Sequence, residues 1–255
     1  MKNHGLGTRG RRPGRRSVSS GFLLILIAAG LATGPVSGSD GPRSAITVRV
    51  YDYARVSRAT LQGAELNAAK ILRKAGIETT WLDCPLEAPG ADAPLACQQE
   101  VGPAEIVLRI LPRFASGHGL LRNATLGFSI VPPGSEAGTY ASVFFGRVET
   151  FAEGGVASPP EILGHATAHE IGHLLLRSNQ HSTVGIMRGR WNQEDLRRAS
   201  QGSLLFTGEQ SEFIRAEVRA RIAVAEVEQV PLEVVHNIVE QAANVEPTAR
   251  PATVQ

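Results

Sequence analysis

Histidine, glutamate and histidine stand together at His169-Glu170-Ile171-Gly172-His173, a spacing that suits one metal ion. Four residues advance an α-helix by about 400° and about 6 Å, so the two imidazoles would project from one face, about 40° apart. Both nitrogens can then reach a zinc ion at roughly 2.0 to 2.1 Å. Glu170 projects from a neighbouring angle, where its carboxylate can take a proton from a zinc-bound water without displacing it. One helical turn thus supplies a nucleophile and its base. A short motif of this kind needs context to be informative, and the context comes from the surrounding residues and elements.

Two imidazoles leave zinc one protein ligand short of the three expected at a catalytic site with an open position. His181 is the first candidate. It follows the expected helix end, where a turn through Arg177, Ser178, Asn179 and Gln180 can return the chain, with Asn179 best suited to a left-handed conformation. Glu194 and Asp195 are the rival third ligands. His165 lies a turn before His169, and including it would spread the ligands over about 12 Å of helix axis, so it reads as a packed histidine. His118, between Gly117 and Gly119, reads as a loop residue. Arg188, Arg190 and Trp191 are read either as walls of a side-chain pocket or as surface anchors.

The elements that must position these residues are legible in outline. Ala45 to Val56 alternates apolar and polar side chains, the period of a half-buried strand. Leu61, Ala64, Ala68, Leu72 and Ala75 recur at helical spacing and Gly76 follows as a terminator. Ile77 to Leu82, Glu105 to Leu111, Leu126 to Val131 and Tyr140 to Val148 read as further strands, the last with Ser142 and Gly146 suggesting an exposed or bulged edge. Ser158-Pro159-Pro160-Glu161 combines a capping serine, a first-turn proline and a glutamate at the third helical position, so a helix starts there and runs through the histidine motif to about Leu176. A final helix opens at Thr207-Gly208-Glu209-Gln210. The expected fold class is α+β: a mixed, mostly parallel sheet of about five strands, a covering helix, the active-site helix and a C-terminal helical part.

The first 38 residues read as a signal peptide. Lys2, Arg9, Arg11, Arg12, Arg15 and Arg16 precede the apolar run Phe22 to Ala32, and small residues near Gly38 offer a cleavage site. The run is about half the roughly 20 residues of a spanning helix, so export is expected rather than an uncleaved anchor. Without these six basic residues, 20 of the 26 Lys and Arg face 24 Asp and Glu, a net charge of about −4. No basic run with interleaved aromatics remains, so nucleic-acid binding has no electrostatic footprint. In an oxidising compartment Cys84 and Cys97 are expected to form a disulfide. The domain is expected over residues 39–229, with 230–255 as a C-terminal extension.

At the motif the sequence resembles the metzincin clan of zinc peptidases, whose signature is HExxH, a glycine turn, a third histidine and a downstream methionine turn. The resemblance implies His169, His173 and His181 as ligands of one Zn²⁺, Glu170 as general base, and Met187 as the methionine below the metal. Here Leu176 and Asn179 occupy the positions where the clan usually has its glycine and third histidine, and His181 comes two residues late. The resemblance further implies a protein or peptide substrate bound along a sheet edge, for which Tyr140, Ser142 and Trp191 are candidates. The implied activity is peptide-bond hydrolysis by an exported zinc endopeptidase. The competing readings are a non-catalytic zinc-binding or interaction domain and a zinc hydrolase of non-peptide amides.

Overall fold

The computed structural model describes residues 44–87, 94–112, 126–132 and 137–228. The expected signal peptide, His118 and the 230–255 extension lie outside these residues. The elements run β1 (Ala45–Asp52), α1 (Arg58–Lys74), β2 (Glu78–Asp83), a 3₁₀ turn (Leu95–Gln98), β3 (Glu105–Leu111), β4 (Gly127–Ser129), β5 (Tyr140–Phe144), α2 (Phe145–Ala152), α3 (Pro159–Leu176), α4 (Gln193–Ser200) and α5 (Gly208–Glu228). The five strands form one sheet in the order β2-β1-β3-β5-β4. All pairings are parallel except β4 with β5, which is antiparallel. The expected α+β class and mostly parallel five-stranded sheet are the observed ones.

Strand alternation separates two faces. Ile46, Val48 and Val50 of β1, Ile106, Leu108 and Ile110 of β3, and Ala141 and Val143 of β5 are buried on the face that receives α1 and α3. Every residue of α3 from Ile162 to Leu175 is buried. A helix surrounded on all sides carries its polar residues into a low dielectric, and this sets the chemistry of His169, Glu170 and His173. The start of α3 follows the expected cap: Ser158 donates its backbone N–H to Glu161 Oε2 at 2.7 Å, with proline in the first turn.

Three elements differ from the sequence reading. The strand expected over Tyr140 to Val148 ends at Phe144, and α2 begins at Phe145. Phe145, Val148, Phe151 and Ala152 also fit helical spacing, and packing of these four against the core selects the helix. That strand is no edge either, because β4 pairs along its outer side. Finally, α4 lies in a stretch read as irregular; Asn192 accepts from Asp195 N and Asp195 Oδ2 accepts from Asn192 N, each at 3.0 Å, a capping box built with aspartate in place of glutamate.

Cys84, at the end of β2, is bonded to Cys97 in the 3₁₀ turn, with Cα atoms 5.7 Å apart. The chain beyond is tied to the sheet by Arg49 of β1, which donates to the carbonyls of Gln99 (2.7 Å) and Glu100 (2.9 Å) and pairs with Glu105. Reducing the disulfide is expected to lower the unfolding free energy by about 3 kcal/mol through the freed loop. Denaturant unfolding with and without reductant measures this, and an unchanged midpoint would contradict it.

Candidate metal centre

The α3 helix delivers His169 and His173 to one side, and the chain after it delivers His181. Ring centroids are 4.8 Å apart for His169 and His173, 4.9 Å for His173 and His181, and 5.3 Å for His169 and His181. One ring nitrogen from each of the three lies within 4.8 Å of the others, so these residues could hold a metal ion. The donor chemistry fits a cation. His169 Nδ1 is 2.7 Å from the Ile186 carbonyl and His173 Nδ1 is 2.7 Å from the Ser178 carbonyl. A carbonyl only accepts, so both Nδ1 atoms carry hydrogen and both Nε2 atoms present lone pairs in the neutral rings. Those two Nε2 atoms face each other at 3.1 Å, a repulsive arrangement unless a cation lies between them.

Burial keeps the rings neutral. His169 is pushed down to about 3, first by burial and then by His173 beside it, and His173 is lowered by burial. Glu170 is pushed up to about 8, again by burial, with the Ser129 hydrogen bond opposing the rise. The metal-free protein should register these shifts as stability. Glu170 binds its proton more tightly folded than unfolded, so its contribution is complete below about pH 4.5 and is lost as pH rises through about 8. Glu65, raised to about 7 by burial and by Asp83 beside it, has the same sign; most of its contribution is gone by pH 7 and only a smaller remainder is lost above it. The histidines act only below their ordinary 6.5, with the opposite sign. Chelator-treated protein is therefore expected to lose stability between pH 7 and 8, at up to about 1.4 kcal/mol per unit, and Glu170→Gln to flatten that decline. Urea unfolding at the two pH values decides it; an equal loss in both proteins would show that the shift lies elsewhere.

The late third histidine is positioned by the chain that follows it. Ser182 N donates to Met187 O at 2.9 Å and pairs with Arg188 in a single parallel bridge, which folds residues 181–188 into a closed loop. Gly189 lies under the His181 ring; a Cβ there would be 2.9 Å from His181 Cγ and 3.0 Å from Nδ1, so only glycine admits the ring at this distance. The left-handed residue of the turn is Arg177 (φ 52°), not Asn179 as expected, because the chain reverses directly at the helix end. That conformation costs about 1 to 2 kcal/mol in a residue with a Cβ. Neighbouring α5 supports the turn: Arg221, buried and paired with Glu217, donates to Leu174 O at 3.1 Å and to Gly138 O at 3.0 Å.

The rival ligands lie elsewhere. Glu194 is exposed and pairs with Arg197 at 2.7 Å. Asp195 is buried, but both of its oxygens accept from Arg188, at 3.0 and 2.9 Å. His165 donates from Nδ1 to Glu161 O at 2.7 Å and sits edge-on to Trp191, outside the cluster. Met187 is 1% exposed, with its sulfur against α3 at Gly172.

The cluster opens on a cleft of about 260 Å³ whose walls include Phe128, Phe151, Ala166, Glu170, Arg190 and Trp191. Trp191 donates Nε1–H to Ile186 O at 3.2 Å, the same carbonyl that receives His169, and packs edge-on to the His169 ring. Of the candidate substrate contacts, only Trp191 is in this cleft. Ser142 is fully buried on the opposite face of β5, where its hydroxyl accepts from Arg109 Nε at 3.1 Å. Tyr140, on that same face, is exposed and flanks the Arg109 guanidinium at 5.9 Å.

Two residues of β4 went unnoticed in the sequence. Ser129 Oγ is 2.8 Å from Glu170 Oε2 and 2.7 Å from the Glu170 carbonyl oxygen. Gly127 leaves the space that Glu170 fills, since a Cβ there would lie 2.8 Å from both Cγ and Oε1 of Glu170. Only the period-two pattern of Gly127 and Ser129 in a short strand could have hinted at a shared face.

No protein-family model matches the chain, and no curated protein matches it significantly. Among solved structures it is similar to the crystal structure of an archaemetzincin from Methanopyrus kandleri, at 16% identity over 71% of this chain and 99% of that one, with a TM-score of 0.41. At that level the likeness is weak, and the functional reading stands on the geometry of the site.

Proposed function

We propose that the chain is an exported zinc-dependent endopeptidase, an atypical metzincin-like metallopeptidase whose catalytic unit spans residues 39–229. The observation that carries this reading is the convergence of three imidazoles beside a buried carboxylate on the wall of an open cleft. Among the described residues no fourth histidine, cysteine or acid joins the cluster, which favours an open coordination position over a closed structural site. His169, His173 and His181 would hold the ion. When bound there, zinc lowers the pKa of water toward about 7 and polarises a carbonyl.

The chain's own residues supply the remainder. Glu170 takes the proton of the attacking water and returns it to the leaving amine. Its raised affinity for a proton in the metal-free site is opposed by a cation at the neighbouring imidazoles, which brings the carboxylate toward the range a general base needs. Among the described residues β4 is the outermost strand of the sheet, and an extended peptide can add along its outer side. Trp191 and Phe151 then wall the space for a side chain next to the reacting bond. The Cys84–Cys97 disulfide supports export, and among the described residues no helix is long and apolar enough to cross a membrane.

The test is a digest of a mixed peptide library by zinc-loaded protein, read by mass spectrometry. Internal cleavages that disappear with chelator, return with zinc and yield to a hydroxamate are expected. Fully zinc-loaded protein that leaves every peptide intact would contradict the proposal.

A further inference from the structure

We propose that Ser129 is the positioning residue for Glu170, holding the carboxylate in its orientation toward the cleft. This rests on the reading of Glu170 as general base. Residues two apart on a strand share a face, and Gly127 and Ser129 both turn toward α3, while Phe128 between them turns away to pack on Phe144, with ring centroids 5.8 Å apart. These two residues clasp one side chain from two directions. Gly127 supplies the room in which Glu170 Cγ and Oε1 lie against the β4 backbone, and Ser129 supplies a hydroxyl 2.8 Å from Oε2. Among the described residues, no other side chain hydrogen-bonds the Glu170 carboxylate.

The same oxygen lies 2.7 Å from the Glu170 carbonyl oxygen on the α3 backbone, and its one hydrogen is shared between that carbonyl and Oε2 when Glu170 is ionised. The serine is therefore referenced to the helix that carries His169 and His173, and the carboxylate is held in a fixed relation to both imidazoles. A glutamate has three side-chain torsions, and losing its one hydrogen-bonding partner would spread the carboxylate over several rotamers. Displacement of a catalytic group by about 1 Å can lower rate by about 100-fold.

The test compares the parent, Ser129→Ala and Ser129→Thr, each zinc-loaded. Ser129→Ala is expected to keep its zinc affinity, to melt at a lower temperature because a buried carboxylate loses its partner, to hold KM within about 2-fold, and to lose kcat by about 10- to 100-fold. Ser129→Thr, which retains the hydroxyl on a β-favouring residue, is expected to recover most of kcat. Crystal structures of the three supply a readout independent of turnover: one Glu170 carboxylate position in the parent and the threonine variant, several in the alanine variant. An alanine variant with a single unmoved Glu170, or with kcat intact, would overturn the proposal, as would a loss confined to KM and stability. If the parent cleaves no peptide, the peptidase reading fails, whereas the position of Glu170 in the three crystals still decides the role of Ser129.

Discussion

Glu170→Gln is expected to bind zinc as the parent does and to hydrolyse peptides about 10²- to 10⁴-fold more slowly, the range associated with a positioned general base. The amide keeps the volume that fills the space above Gly127 and can still bond to Ser129 Oγ, so the fold and the imidazoles are undisturbed. What it lacks is a site for the proton released by the attacking water. Glu170 is 5% exposed and enclosed by β4 and α3, so bulk solvent has little access to substitute as a base. The measurement is kcat/KM beside metal content for the two proteins. Equal rates at equal zinc content would exclude Glu170 as the base and leave the metal cluster without its acid–base partner.

His181→Ala is expected to weaken zinc binding by more than about 100-fold, beyond the 10- to 100-fold typical of losing a residue that merely orients a ligand. His181 differs from its two partners in being exposed, so its removal opens no cavity in the core and metal loss can be read without unfolding. Asp195→Asn provides the contrast. Asp195 is 1% exposed and accepts both hydrogen bonds from Arg188, so its substitution is expected to lower stability by about 1 to 3 kcal/mol while zinc affinity holds. Competition with a chromophoric chelator, together with thermal melts, separates the two outcomes. Zinc binding lost with Asp195→Asn and retained with His181→Ala would assign the third ligand to the aspartate.

The residues legible in advance were those whose position follows from local rules. The serine–glutamate cap at Ser158 and Glu161 and the four-residue spacing of His169 and His173 both express α-helical geometry, and the structure places them on one helix. The alternation from Ala45 gave a strand that starts there and ends at Asp52, four residues short of the expected Val56, and β3 occupies the expected Glu105 to Leu111. What escaped depends on contacts between distant segments. Ser142 looks like an edge residue until β4 pairs beside it, and Phe145 to Ala152 fits two periods until the core selects one. The turn that places His181 could not be read from Asn179, because Arg177 takes the left-handed conformation against α5, and Gly189, eight residues after the histidine, gives its ring room. Ser129 and Glu170 are 41 residues apart, and nothing in either neighbourhood points to the other.

The central claim is that three histidines hold one zinc ion with a fourth position open, and zinc-edge X-ray absorption on protein of known metal content tests it most directly. One zinc per chain, with three imidazole nitrogens and a single non-protein oxygen in its shell that a hydroxamate replaces, is the predicted result. A shell closed by a fourth protein ligand, or a chain that takes up no stoichiometric metal, would contradict it.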